Sequence, residues 1–256
     1  MFCQSEMKLG KQAARFDPRT LRLARYLLPG LPEPPDEVSN SRGIQRFGMF
    51  LNDQLGDCTI AAVAHAHQVW VLSQVDPGIK ASIIMPDDGT VKNYYERWCG
   101  YNPQFPLSDQ GGVELDILAK WKGEGFAGRK IQAYVSVDPH NALDVRRAIY
   151  LFGGLYIGLA LPVSAQTQDV WKVVNNSEGE PGSWGGHAVL VSDYDPKTLT
   201  CITWGEPKRM SWQFFTECAD EAYAVLAEDW HSPSGFDMET LAQDLQAVAS
   251  MGRTNG

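Results

Sequence analysis

Residues 52 to 62 read NDQLGDCTIAA, and the run that begins inside them, CTIAAVAHAHQVWVL from Cys58 to about Leu72, is apolar nearly all round. A helix without a polar face is a buried one, so this spacing predicts a central helix whose first residue is a cysteine. At a helix N-terminus the free amide N–H groups and the positive end of the dipole favour thiolate over thiol. They also offer a main-chain donor to an oxyanion. A nucleophile at Cys58 is therefore expected on physical grounds, against the competing use of cysteine as a small buried hydrophobe.

Upstream of this helix, DPRTLRLARYLL (17–28) places Asp17 as an N-cap and Pro18 at the first helical position, which predicts a helix. PGLPEPPDE (29–37) then packs four prolines into one stretch and reads as an extended arm. The arm has two uses open to it, as a strap on the body of the protein or as a segment that crosses a cleft until it is cut. Downstream, caps and periodicity predict helices over 90–99, over 112–122, and for about a dozen residues after Asp138-Pro139.

The period then changes. Residues 154–161, 187–194, 198–204 and 221–229 are rich in β-branched and aromatic side chains between turn residues, as strands should be. Only Asp195-Pro196-Lys197 separates the second from the third, which predicts an antiparallel hairpin. A last helix is expected over 238–251. The fold class that follows is α+β, a helical N-terminal lobe (about 45–150) packed on an antiparallel β lobe (about 151–235). Residues 1–44 form a lead-in, and 45–256 a single domain.

Composition narrows the partners. The 22 Lys and Arg against 31 Asp and Glu give a net charge of −9, so no general field attracts nucleic acid or an anionic membrane, and neither is expected as a partner. MFCQSEMKLGKQAARF lacks the apolar stretch of a signal peptide and no run is long enough to span a membrane, which together set the expectation of a cytoplasmic protein. Cys3, Cys58, Cys99, Cys201 and Cys218 are scattered, odd in number and contain no CxxC pair, so free thiols are expected rather than disulfides or a zinc site.

Three motifs fail on context. GEGFAG (123–128) matches GxGxxG, but a helix precedes it and the strand KIQAYVSV follows, the reverse of what a dinucleotide site needs. His65 and His67 are two apart on a helix, and chelation needs three or four. MPDDG (85–89) lacks the spacing of a calcium loop and reads as a turn. No cofactor and no metal is expected.

A thiolate needs a base. GSWGGHAVLVSDYD sets His187 at the start of a strand behind Gly185 and Gly186, which let another segment or a substrate approach closely. Cys58 heading a buried helix, Gly-His-Ala-Val 129 residues later running into Asp-Tyr-Asp, and Thr-Trp-Gly after the next strand resemble the papain-like cysteine peptidases, including papain-like proteins of bacteria and their phages. The resemblance spans roughly residues 45 to 230.

The resemblance implies Cys58 as nucleophile and His187 as the base that forms an ion pair with it, across a cleft between the lobes. It implies an oxyanion side chain six positions before the cysteine. Asn52 stands there, with Gln54, four before, as the fallback. It implies an asparagine that orients the histidine and a tryptophan that shields the contact. Here Thr203 lies sixteen residues after His187, followed by Trp204 and Gly205. Aligning Trp204 to the family tryptophan instead would put Ile202 in that role, which cannot hold an imidazole. Asp193 lies about 20 Å along the strand from His187 at ~3.3 Å per residue.

A hairpin around Asp195 and Pro196 brings Thr203 and Trp204 opposite His187, although a neutral hydroxyl supports an imidazolium less well than an amide or carboxylate does. The function expected is a cysteine peptidase or amidase acting through an acyl-thioester on a peptide or protein substrate. Its alternatives are an acyltransferase of transglutaminase type and a weakly active or inactive binding scaffold. Trp184, Trp204, Trp212, Tyr156 and Phe152 are open to use as an aromatic subsite or as core.

Overall fold

A computed structural model describes residues 7–74 and 85–253. Among the described residues the helices are α1 (Cys58–Val69), α2 (Asp88–Cys99), α3 (Glu114–Glu124), α4 (Ala142–Phe152), α5 (Trp212–Cys218) and α6 (Met238–Arg253). The strands are β1 (Val38–Ser39), β2 (Ile131–Ser136), β3 (Leu155–Leu161), β4 (Val170–Trp171), β5 (Gly185–Tyr194), β6 (Thr198–Thr203), β7 (Glu206–Ser211) and β8 (Ala219–Ala227). All twelve residues of α1 are buried, as its unbroken apolar surface requires, and the helix continues as a π-helical turn over Trp70–Gln74.

The strands form one sheet in the order β2-β8-β3-β5-β6-β7-β4, with β1 paired to the far end of β5; every pairing is antiparallel except β4 with β7. Helices cover both faces. Along β3, Leu155, Ile157 and Leu159 join the core beneath α4 and α5, while Tyr156 joins the core around α1, α2 and α3. Burial on both faces is why this strand reads as a continuous apolar run rather than an alternation. The Tyr156 hydroxyl also donates to the Thr59 carbonyl at 3.0 Å, tying the first turn of α1 to the sheet.

The β5–β6 hairpin forms where expected. The Asp195 carboxylate accepts from the Lys197 and Thr198 amides at 2.6 and 2.7 Å, and the register sets Leu190 opposite Ile202. Asp87 caps α2 through the Thr90 amide, so MPDDG is the start of that helix rather than a free turn. GEGFAG does lie between α3 and β2. No helix of the described residues is long and apolar enough to cross a membrane.

Residues 17–28 overturn one expectation. They hold only a single 3-10 turn, Leu23–Tyr26. Asp17 closes a local turn with the Arg19 amide and side chain, and Ser136 and Phe236 then draw Arg22 and Leu27 into β-bridges. Burying Leu23 and Tyr26 against the sheet outweighs a marginal local helix propensity. Apart from this turn and short bends, residues 7–39 contain no helix. The proline-rich arm runs along α4, where Arg146 donates to the Pro35 carbonyl at 2.8 Å and the Tyr194 hydroxyl does the same at 2.8 Å. It is a strap on the side of the sheet that carries α4 and does not cross the Cys58 site.

Four elements escaped the sequence, the two-residue strands β1 and β4, strand β7 and helix α5. Strand β7 is spelled EPKRMS, whose apolar content is a single methionine, and α5 is a short helix capped by the Ser211 hydroxyl on the Phe214 amide.

Candidate active site

The approach to Cys58 is a turn held by backbone conformation. Phe50 and Leu51 both sit in the left-handed region, φ 58° and 65°, which large side chains rarely adopt. The turn is closed by Asn52 N to Met49 O and Leu55 N to Leu51 O, and buries the Asn52 side chain. The Gly56 amide is then anchored on the Asp109 carboxylate at 3.0 Å, and α1 begins. Asp57, beside the thiol, is fully buried, and burial pushes its carboxyl well above the usual range.

From the β lobe, β5 supplies His187 and its neighbours. The imidazole is fully buried, with its Nε2 2.6 Å from the Thr203 hydroxyl and its Nδ1 without a hydrogen-bond partner among the described residues. The Trp204 ring stacks on it at 4.5 Å between centroids and 19° between planes. Trp204 reaches that place because β6 and β7 are joined by a two-residue turn, Trp204-Gly205, with φ 47° and 74°; positive φ at both central positions marks the turn type that matches strand twist. Trp184 packs on Trp204 in turn, at 5.7 Å.

The lobes meet at the sulfur. Cys58 Sγ accepts from the Ala188 amide, next to His187, at 3.4 Å. The Gly10 amide lies close enough to the sulfur to favour its thiolate form. Residues 7–12 lie in the cleft as a strap: Lys11 N donates to Gly186 O (3.1 Å), Gln12 N to Gly112 O (2.9 Å), and Gly112 N to Gly10 O (2.8 Å). The Trp204 indole donates to Lys8 O at 3.4 Å. The close approach expected at Gly186 is therefore made by the chain's own N-terminal segment. Gly10 has no room for a side chain, since a Cβ there would overlap the Gly56 carbonyl.

Burial sets the charge state. It pushes the Cys58 thiol up to about 12, against the pull of the Ala188 and Gly10 amides. It pushes the His187 imidazole down to about 3, with His65 adding to the fall. Both groups are neutral in this arrangement.

The remaining candidate residues fall as follows. Asn52 donates to Leu55 O at 3.3 Å and lies against the Asp57 carboxyl. Gln54 is exposed and its amide reaches only Asp53, at 3.5 Å. Ile202 is core, and Asp193 is engaged far along β5 by the Ser41 amide. His65 and His67 are both buried in α1, His65 bonded to Gly48 O at 2.9 Å and His67 against Phe126. Among the described residues no group of three or more His, Cys, Asp or Glu could hold a metal ion. Cys58, Cys99, Cys201 and Cys218 are all free, and Cys3 lies outside the described residues. Phe152 and Tyr156 are core, and Trp212 packs on Tyr194.

No protein-family model matches the chain, and no curated protein matches it by sequence. Solved structures do. Xylellain, a cysteine protease from Xylella fastidiosa, superposes with a TM-score of 0.65 at 14% identity over 86% of this chain and 96% of that one. The chain has the papain-like fold. The same likeness extends to proCathepsin B S9 from Trypanosoma congolense, with a TM-score of 0.56 at 12% identity over 89% of each chain. It extends also to the cysteine protease and lectin-like domains of Cwp84, a surface layer associated protein of Clostridium difficile, at 0.51 and 11%, over 88% of this chain and 57% of that one.

In this chain Thr203 is the hydrogen-bond partner of the buried His187 ring. Thr203→Val keeps the shape and leaves Nε2 unpartnered in a fully buried place, so it is expected to cost about 1–3 kcal/mol in urea unfolding. A change below about 0.5 kcal/mol would mean that the hydroxyl does not hold the ring.

Proposed function

We propose that the chain is a cysteine peptidase or amidase that cleaves a peptide or amide bond through an acyl-thioester on Cys58. One observation supports this most directly. The thiol at the head of α1 lies against the strand of His187, and that imidazole is bonded to Thr203 and covered by Trp204, with Nδ1 left free for a proton.

With a substrate in place of the strap, His187 Nδ1 takes the thiol proton and the thiolate attacks the carbonyl carbon. The Cys58 amide, with Asn52 as the candidate side-chain donor, receives the developing oxyanion. His187 then gives its proton to the leaving nitrogen as the C–N bond breaks. A water attacks the thioester, losing its proton to His187, and frees the acid and the thiol. Thr203 orients the ring by its hydroxyl and Trp204 keeps water from that contact. Residues 7–12 keep the enzyme latent until they leave the cleft.

The test is covalent capture. A full-length chain carrying Gly10→Ala, incubated with a peptide p-nitrophenyl ester and quenched in acid, is expected to carry the acyl group on Cys58, as mapped by mass spectrometry. Added glycinamide then separates hydrolysis from transfer by the product formed. Failure to acylate Cys58 in a chain whose thiol labels freely would overturn the reading.

A further inference from the structure

The strap residue next to Gly10 is Lys11, and its side chain leaves the cleft for a pocket of unusual charge. The ammonium lies 2.8 Å from Asp220 Oδ2 and 2.9 Å from Glu221 Oε1, and donates to Gln12 O at 3.1 Å. The lysine side chain is 1% exposed and Glu221's 6%, whereas Asp220's is 34% exposed at the mouth. The stem runs over Gly158, where any Cβ would overlap Lys11 Cε.

A third carboxyl, Glu114 at the start of α3, is fully buried, burial pushes it well above the usual carboxylate range, and among the described residues neither of its oxygens has a hydrogen-bond partner. It nevertheless acts on Lys11, whose ammonium is held above its usual range: burial pulls it down, and Glu114, Glu221 and Asp220 outweigh that. The Tyr223 hydroxyl fixes Glu221 from behind at 2.8 Å.

Asp220 and Glu221 suffice to seat one lysine. A third carboxyl, buried with both oxygens idle, is costly to the fold. A guanidinium, with five donors in a planar fork, could engage what an ammonium leaves unpaired. We propose that Glu114, Asp220 and Glu221, arranged over Gly158, form a specificity pocket that selects peptide substrates with an arginine or lysine next to the bond cut or one residue beyond it, and that Lys11 occupies this pocket in the strapped chain. The inference rests on the peptidase reading above and adds the substrate class.

The test uses full-length protein carrying Gly10→Ala and Lys11→Ala, which empties the pocket of the strap's own lysine. Fluorescent peptides hold arginine, lysine, citrulline or leucine at each position in turn. kcat/KM is measured on this protein. Affinity is measured by fluorescence polarisation on its Cys58→Ser form, which needs no turnover. Arginine is expected to exceed its neutral isostere citrulline by at least about 30-fold in both readouts. Asp220→Asn with Glu221→Gln should bring that ratio close to one; should the pair fail to fold, Asp220→Asn alone is expected to lower it about 10-fold.

A ratio near one at every position in the starting protein, a ratio the carboxylate changes leave alone, or no peptide binding at all would each overturn the pocket. Selective arginine binding without any turnover would uphold the pocket and overturn the peptidase instead.

Discussion

Gly10→Ala in the full chain is expected to raise the rate of iodoacetamide labelling at Cys58 by at least about 100-fold at pH 6. With the strap in place the thiol is fully buried, and burial pushes it up to about 12, far above the ~8.5 of an ordinary thiol. Release from burial therefore raises the thiolate fraction steeply, before any ion pair with His187 and before the gain in access. The methyl group acts by exclusion, because the Gly56 carbonyl it meets is backbone and cannot turn away. Peptide mapping separates Cys58 from Cys99, Cys201 and Cys218, whose labelling should not change. An unchanged rate at Cys58 would mean that the strap does not control the thiol.

In the same open background, His187→Ala is expected to lower peptide turnover by at least about 1,000-fold, as loss of the base in a nucleophile–histidine pair generally does. The pH dependence separates this from a structural effect. Under the strap, burial holds the imidazole down to about 3, so at neutral pH it is an uncharged acceptor. Opening the cleft removes part of that burial and lets the pKa rise toward the ordinary ~6.5, where the ring can take the thiol proton and keep it. Labelling of Cys58 at pH 6 should accordingly fall in His187→Ala to the rate of an isolated thiol, while labelling at pH 9 should change little. Retention of more than about a tenth of the turnover would remove His187 from the mechanism.

Much of the fold was legible because its signals are local. The unbroken apolar run behind Cys58, the period-2 strands of the second half and the Asp195-Pro196 turn each state their own structure, and the hairpin then sets Thr203 beside His187. The stretch at 17–28 misled for the opposite reason. Its cap and spacing are good locally, but Ser136 and Phe236 compete for the same backbone groups and prevail. Strand β7 carries too little apolar content to stand out, and exists because β6 and a two-residue turn present it with a ladder.

The sequence by itself determined where the candidate thiol and imidazole stand in the fold and in what order, since helix N-termini, strand starts and tight turns are short-range features. Tertiary structure alone decided what lies over them. That Lys11 would cross the cleft 47 residues ahead of the thiol, and bury its ammonium beside Glu114, Asp220 and Glu221, depends on contacts as distant in sequence as that with Asp220, 209 residues away. No periodicity encodes such contacts. They follow from chain closure, where one extended strap satisfies its backbone on Gly112 and Gly186 and its charge on carboxylates that the sheet and α3 have already brought together.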